Sequence, residues 1–379
     1  MERLKSLGKF GSQPIGMDID SGAIKAVQIS TGGGSYILRH VGYHRLPPGT
    51  IVEGEVADHD LLAAEIKEFW SSHSFKGKSV ILGVANQKVV VRLLDFPRIE
   101  DAEDLKSAIG FEAQEHIPMP LEETVLDHLV LGPQGEGSDL DRILVVAADR
   151  EMIGRYASVL RAGGLRPAGI DVKALSLTRS TLPEMFFGEE GAVLLLDVGT
   201  ELTSLAVAQG PNPTLTRFIP LGLGDFVGAV ADAADLPEDE AEKQALSSRA
   251  SLGQALGGAQ EESEDTGEDQ EDDFDPALVY DVRRGLEETT QALAEEVQRS
   301  IEYHHSQVGS REVAQVLISG EGALIPGLDV YLGELLGVAT QRGNPAAKLA
   351  ANRSNVSDEQ LGAMEPVLAV AFGLVMEDE

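Results

Sequence analysis

The chain has 379 residues, 42% of them hydrophobic, with 63 Asp and Glu against 30 Lys and Arg, a net charge of −33. That length supports two cores rather than one, and the negative field repels the phosphate backbone of nucleic acids. With no cysteine in the chain, disulfide scaffolds, Cys-ligated zinc, iron–sulfur clusters and thiol catalysis are excluded.

The first ten residues set Arg3, Lys5 and Lys9 among Leu4, Leu7 and Phe10. They read either as a basic amphipathic turn against a membrane or as a frayed terminus. No secretory apolar stretch follows. No window reaches the ~18 apolar residues of a membrane span, the longest candidate being 367–376, so the expected location is cytoplasmic.

Strands are predicted at 14–20, 23–30 and 36–45, with the glycines at 32–34 as a turn. Leu61, Leu62, Ile66, Phe69 and Trp70 give 59–73 a helical period. Strands follow at 80–85 and 89–94, then a helix over 102–116 that Ile117-Pro118-Met119-Pro120 breaks. Strands at 125–131 and 142–148, a helix over 150–162 stopped by Gly163-Gly164, and a helix over 174–181 complete the first half.

The opening pattern then recurs. Residues 192–197 form an apolar strand ending in Asp197, and Val198-Gly199-Thr200-Glu201 turns the chain. Strands at 203–208 and 215–219 lead to a helix at 223–234. Asp18 and Asp197 lie 179 residues apart at equivalent points, which predicts two similar lobes. Because ligands of open α/β folds bind outside strand ends, two such Asp turns predict a shared cleft. Residues 261–275 hold five Glu and five Asp with no basic residue, and a disordered acidic insertion is predicted over about 245–275. Removing those ten charges still leaves −23. Residues 316–319 run as a strand into the glycine-rich turn Gly320-Glu321-Gly322, and a helix follows at 329–336.

The turns suit phosphate chemistry. In Asp18-Ile19-Asp20-Ser21-Gly22 a small glycine-containing turn lets backbone N–H groups approach phosphate oxygens, Ser21 offers a hydroxyl and Lys25 a point charge. Asp18 and Asp197 suit a hydrated Mg²⁺, which takes few carboxylates and several waters. Gly199 and Thr200 repeat the arrangement in the second half. Either turn alone is equally an Asp-Gly hairpin without ligand.

These three segments resemble the phosphate-1, phosphate-2 and adenosine motifs of the actin-like ATPase superfamily. Three further stretches narrow the likeness. They are Glu112-Ala113-Gln114-Glu115-His116-Ile117-Pro118-Met119-Pro120-Leu121-Glu122-Glu123 with Val125-Leu126-Asp127, the helical run 296–303, and the apolar 366–374. They are similar to segments of the PilM family of type IV pilus assembly proteins, over about 14–376 apart from the acidic insertion.

The resemblance implies an α/β, two-lobed actin-like ATPase fold with a small FtsA-like inserted subdomain. The first lobe would comprise 12–87 and 164–190, the insert 88–163, and the second lobe 191–379. It implies ATP or ADP with Mg²⁺ between the lobes, held by Asp18, Ser21, Gly22 and Lys25, by Asp197, Gly199 and Thr200, and by Gly320, Gly322 and Gly327. Arg299 would lie along the adenine, and Glu295, one turn earlier, would reach the ribose. Asp171 matches the carboxylate that orients attacking water; its position before an apolar helical run equally suits an N-cap.

The implied function is an adaptor that docks the cytoplasmic N-terminal peptide of a PilN-type inner-membrane protein. It would connect that complex to pilus motor ATPases and reach the membrane only through partners. The alternatives are an ATPase whose cycle gates partner binding, a phosphotransferase, and a related secretion or cell-division protein. Strong negative charge opposes stacking, so a monomer or weak dimer is expected. Two residues depart from the family pattern where glycine is usual, Asp20 in the phosphate-1 turn and Glu321 in the adenosine loop. A carboxylate ~5 Å from a phosphate costs roughly 3 kcal/mol at an effective dielectric near 20.

Overall fold

Alternating apolar residues and tight turns fold the first segment into a ribbon of three antiparallel strands, β1 (Ile15–Ile19), β2 (Ala23–Gly32) and β3 (Ser35–Arg45). The structure is a computed structural model that describes residues 13–32, 35–134, 137–187, 191–253, 275–307 and 309–376. The basic start at 1–10 lies outside the described residues. After the small hairpin β4 (Ile51–Val52) and β5 (Glu55–Val56), helix α1 (His59–Ser72) is capped by Asp58, whose side chain accepts from the Leu61 N–H. Strand β6 (Ser79–Val84) then pairs parallel to β1. All five residues of β1 are buried, because the sheet is covered on both faces.

The inserted unit is a three-stranded antiparallel sheet, β7 (Val89–Pro97), β8 (Thr124–Pro133) and β9 (Leu140–Asp149), ordered β7-β9-β8. Helix α2 (Ala102–His116) buries Leu105, Ile109 and Ala113 in a separate core with Val90, Phe96, Ile143 and Val145. Helix α3 (Arg150–Ala162) corrects the expected boundary at 163. Its apolar face of Met152, Tyr156, Val159 and Leu160 joins the main core of the first lobe with Leu62 and Ile66 of α1. The insert therefore closes at the end of β9. Strand β10 (Arg166–Val172), unpredicted because its Pro167 and Gly169 read as turn signals, pairs with β6, and α4 (Lys173–Thr181) follows.

The second sheet repeats the first. Strand β11 (Ala192–Val198) is fully buried and pairs antiparallel with β12 (Thr203–Ala208), which pairs antiparallel with β13 (Pro213–Ile219). Helices α5 (Leu223–Ala234), α6 (Glu238–Ala245) and the long α7 (Pro276–His305) bury Phe226, Val230, Ala241, Leu286 and Leu293 together. Asp275 caps α7 through the Ala277 N–H. The chain stays packed to residue 253, with Leu252 buried and its N–H donating to the Pro326 carbonyl at 2.9 Å. The expected disorder from 245 is thus corrected over 245–253 and at Asp275; the rest of the acidic run, 254–274, lies outside the described residues. Strand β14 (Val313–Ser319) pairs parallel to β11 as β6 does to β1, and α8 (Leu328–Leu336) and β15 (Thr340–Arg342) complete the order β13-β12-β11-β14-β15.

The chain then returns to the first sheet, which corrects the assignment of all of 191–379 to the second lobe. Strand β16 (Leu349–Asn352) pairs with β3 and ends the order β10-β6-β1-β2-β3-β16. Helices α9 (Asp358–Met364) and α10 (Ala369–Gly373) bury Leu361, Leu368 and Phe372 against Val27, Ile29 and Leu38. The apolar run 367–376 needs cover on all sides, and it finds it by covering one face of the first sheet. Among the described residues no helix is long and apolar enough to cross a membrane.

Where α10 crosses α4, a Cβ on Gly373 would stand 1.8 Å from the Ser176 carbonyl oxygen. Gly373→Ala is expected to lower stability by about 2–3 kcal/mol in urea unfolding, because backbone must move. Gly362→Ala, which meets nothing within 4 Å inside α9, is the control and is expected to be neutral or slightly stabilising.

Candidate functional site

The two Asp turns face each other across one crevice. Asp18 near the end of β1 is in register with Lys25 on β2, so both side chains enter from the first lobe. The Lys25 ammonium lies 3.2 Å from Asp18 Oδ2, 2.5 Å from Asp20 Oδ2 and 2.7 Å from Glu321 Oε1, which comes from the second lobe. Lys173, the first residue of α4, reaches Asp18 Oδ1 at 2.7 Å. Asp20 folds back on its own turn, where Oδ1 accepts from the N–H groups of Gly22 and Ala23 at 2.9 Å each. Opposite, Asp197 is buried near the end of β11, and Thr200 presses on the first turn: a Cβ on Gly22 would lie 2.1 Å from Thr200 Oγ1.

Four carboxylates and two ammonium groups share this buried space, an excess of two negative charges when all are ionised. Burial pushes Glu321 up to about 7, with the Asp20 charge adding to the rise and Lys25 opposing it. Burial likewise lifts Asp197 to about 6 against the pull of Lys173. Burial opposes the charge of Asp20 as well, but Lys25 and Lys173 prevail and hold it near 2. Lys25 keeps its proton: burial disfavours its charge, and Asp18, Asp20 and Glu321 more than offset that. Below about pH 6, protons on Glu321 and Asp197 offset that excess. Glu321 Oε2 is buried without a hydrogen-bond partner among the described residues.

The remaining predicted residues divide. Ser21, Gly199 and Thr200 line the crevice. Gly320 and Gly322 press the loop after β14 onto β11; at Gly320, φ is +85° and a Cβ would stand 2.4 Å from the Val198 carbonyl oxygen. Gly327 is the N-cap of α8. Glu295 and Arg299 lie exposed on α7, paired at 3.6 Å, and do not line the cavity between the turns. Asp171 sits level with Gly83 and Asp18 across β10, β6 and β1, about 10 Å from Asp18 by strand spacing. Its carboxylate is engaged by Arg179 and by the Val172 N–H. It caps no helix, since the N-cap of α4 falls on Val172. Lys173 went unrecognised as a site residue. Its only sequence signal is a charge in the Val172-Lys173-Ala174 joint, where a strand meets a helix buried on nearly every side.

A nucleotide does not fit the residues as arranged. The cavity beside Asp20, Tyr156, Lys173, Asp197 and Thr200 is about 30 Å³, room for a few waters. The Gly22 and Ala23 N–H groups and both ammoniums, the natural donors to phosphate, are held by carboxylates. Both oxygens of Asp18 face lysines, which leaves neither open to a hydrated Mg²⁺.

The raised Glu321 pKa fixes a sign. From pH 4.5 to 7 the folded chain holds this proton more tightly than the unfolded chain, so stability falls as pH rises through that window. Between about pH 5.5 and 7.5, Glu321→Gln is expected to lose about 2 kcal/mol less than wild type, read from urea midpoints.

The comparisons agree with this architecture. The family described as type IV pilus assembly protein PilM matches residues 16–253 and 280–379. Among solved structures, a PilM–PilN type IV pilus biogenesis complex aligns at a TM-score of 0.78 and 27% identity, over 96% of this chain and 97% of that one. The ethanolamine utilization protein EutJ of Carboxydothermus hydrogenoformans aligns at 0.55 and 12%, over 99% and 97%. MreB5 of Spiroplasma citri bound to ADP aligns at 0.52 and 12%, over 96% and 95%. The last two show the fold alone, two actin-like lobes around a cleft. With the family matched over most of its length, the chain belongs to the PilM family of type IV pilus assembly proteins.

Proposed function

We propose that this protein is an adaptor of type IV pilus assembly that docks the cytoplasmic N-terminal tail of a PilN-type inner-membrane protein and links it to the pilus motor ATPases. The observation that carries this reading is the likeness to the PilM–PilN complex across nearly the whole of both chains. The inserted unit offers a suitable surface. Strand β8 has one neighbour in its sheet, leaving an edge to which an extended tail can add a strand. Val130 on β8 and Phe111 on α2 are large exposed apolar side chains of the same unit. In this reading the protein works at the inner face of the membrane through its partner, as a monomer or weak dimer.

MreB5 of Spiroplasma citri is bound to ADP in one solved structure and to AMPPNP in another. For this chain, ATP or ADP with Mg²⁺ would enter the crevice only with Lys25 transferred from Glu321 to phosphate. Tail docking is proposed to proceed without that exchange and without turnover, since Arg179 engages the Asp171 carboxylate.

A synthetic peptide of the N-terminal tail of the cognate PilN-type protein, titrated against the full chain by fluorescence anisotropy, is expected to bind saturably. A scrambled peptide is expected not to bind. Absence of binding by the true tail at about 100 µM, an affinity weaker than roughly −5.5 kcal/mol, overturns the adaptor reading.

A further inference from the structure

We infer that Glu321 stands in for a nucleotide: its carboxylate, carried by the second lobe, occupies the Lys25 ammonium of the first and ties the lobes together across the crevice. The inference does not depend on the docking reading. It rests on the disagreement between the actin-like cleft and the donors left inside it.

The loop that presents Glu321 is fixed on two sides. Gly320 approaches the Val198 carbonyl so closely that no side chain fits, and its N–H donates to the Pro366 carbonyl at 2.9 Å. Glu321 opens the short helical turn Glu321–Leu324 with its side chain 94% buried, so a rigid backbone delivers the carboxylate to Lys25 at 2.7 Å. Asp20 completes the substitution. It uses the turn amides of Gly22 and Ala23, the positions from which backbone N–H groups would cradle a phosphate, and contacts Lys25 with its other oxygen. One intramolecular carboxylate thus holds the cation and another holds the amides.

A phosphate arriving from solution competes with groups already tethered at the site. Tethering gives an effective concentration of roughly millimolar or more, so nucleotide at cellular levels gains no advantage. A polyphosphate would also bring its own negative charges into a buried space that already holds four carboxylates against two ammonium groups. The contacts are asymmetric. Without Glu321, Lys25 retains Asp18 and Asp20; without Lys25, Glu321 loses its ion-pair partner. Glu321 is therefore the side to remove, because its loss strands no buried cation.

The test is calorimetric titration of the full chain, freed of nucleotide and divalent ions, with Mg-ATP and then Mg-ADP, on wild type, Glu321→Ala and Glu321→Gln. Wild type is expected to bind more weakly than about 1 mM, with no rise in thermal midpoint when Mg-ATP is added. Glu321→Ala is expected to bind at least 10-fold more tightly. Glu321→Gln keeps the side chain's length without its charge, is expected to fall between, and serves as the folded reference if the alanine variant is destabilised. Small-angle scattering without nucleotide adds an independent readout: Glu321→Ala is expected to expand relative to wild type and to contract on adding Mg-ATP. Wild type saturating with Mg-ATP below about 50 µM, or both variants binding no more tightly than wild type, overturns the inference.

Discussion

Lys25 brings an ammonium group into the seam between two sheets, where removal from water is costly unless opposite charges meet it directly. Asp18 and Asp20 meet it from the same ribbon and Glu321 from the other lobe. Because those carboxylates sit on separate elements, the ammonium gathers all three only when β1, β2 and the loop after β14 are in place. Closure of the crevice, the tight approach of Gly22 to Thr200 and the small space left between the turns all accompany that one group.

The duplicated topology explains why the charges converge. In each lobe a buried central strand, β1 or β11, carries an aspartate near its end, with an antiparallel hairpin on one side and a parallel strand on the other. The parallel neighbour places Gly83 level with Asp18 and Ser319 level with Asp197. The loop after Ser319 must therefore leave the sheet beside the first-lobe turn, which is how Glu321 arrives at Lys25. In this chain the geometry gathers carboxylates at that point.

The inserted unit is built apart from that crevice. It has its own small core around Phe96, Ile109 and Val145 and is bounded by α3, which belongs to the first lobe. A partner engaging the insert can leave the Lys25 cluster untouched, as the proposed adaptor role requires.

Period and turn chemistry alone were enough to place the two ribbons, the α1 to α3 helices, the Asp18 and Asp197 repeat and the glycine-rich joint after β14. Those features are written in neighbouring residues: alternation for strands, 3–4 spacing for helices, glycine where φ turns positive. The PilM-like stretches supplied the family. Sequence could not assign α3 and α10 to their cores, because an apolar stripe records that a face is buried and not which sheet receives it. Nor could it show that Lys173 holds Asp18, that Arg179 claims Asp171, or that Glu321 closes on Lys25. Each of those contacts joins residues on different elements, and a buried charge selects its partner by distance and desolvation, which exist only after the lobes have packed.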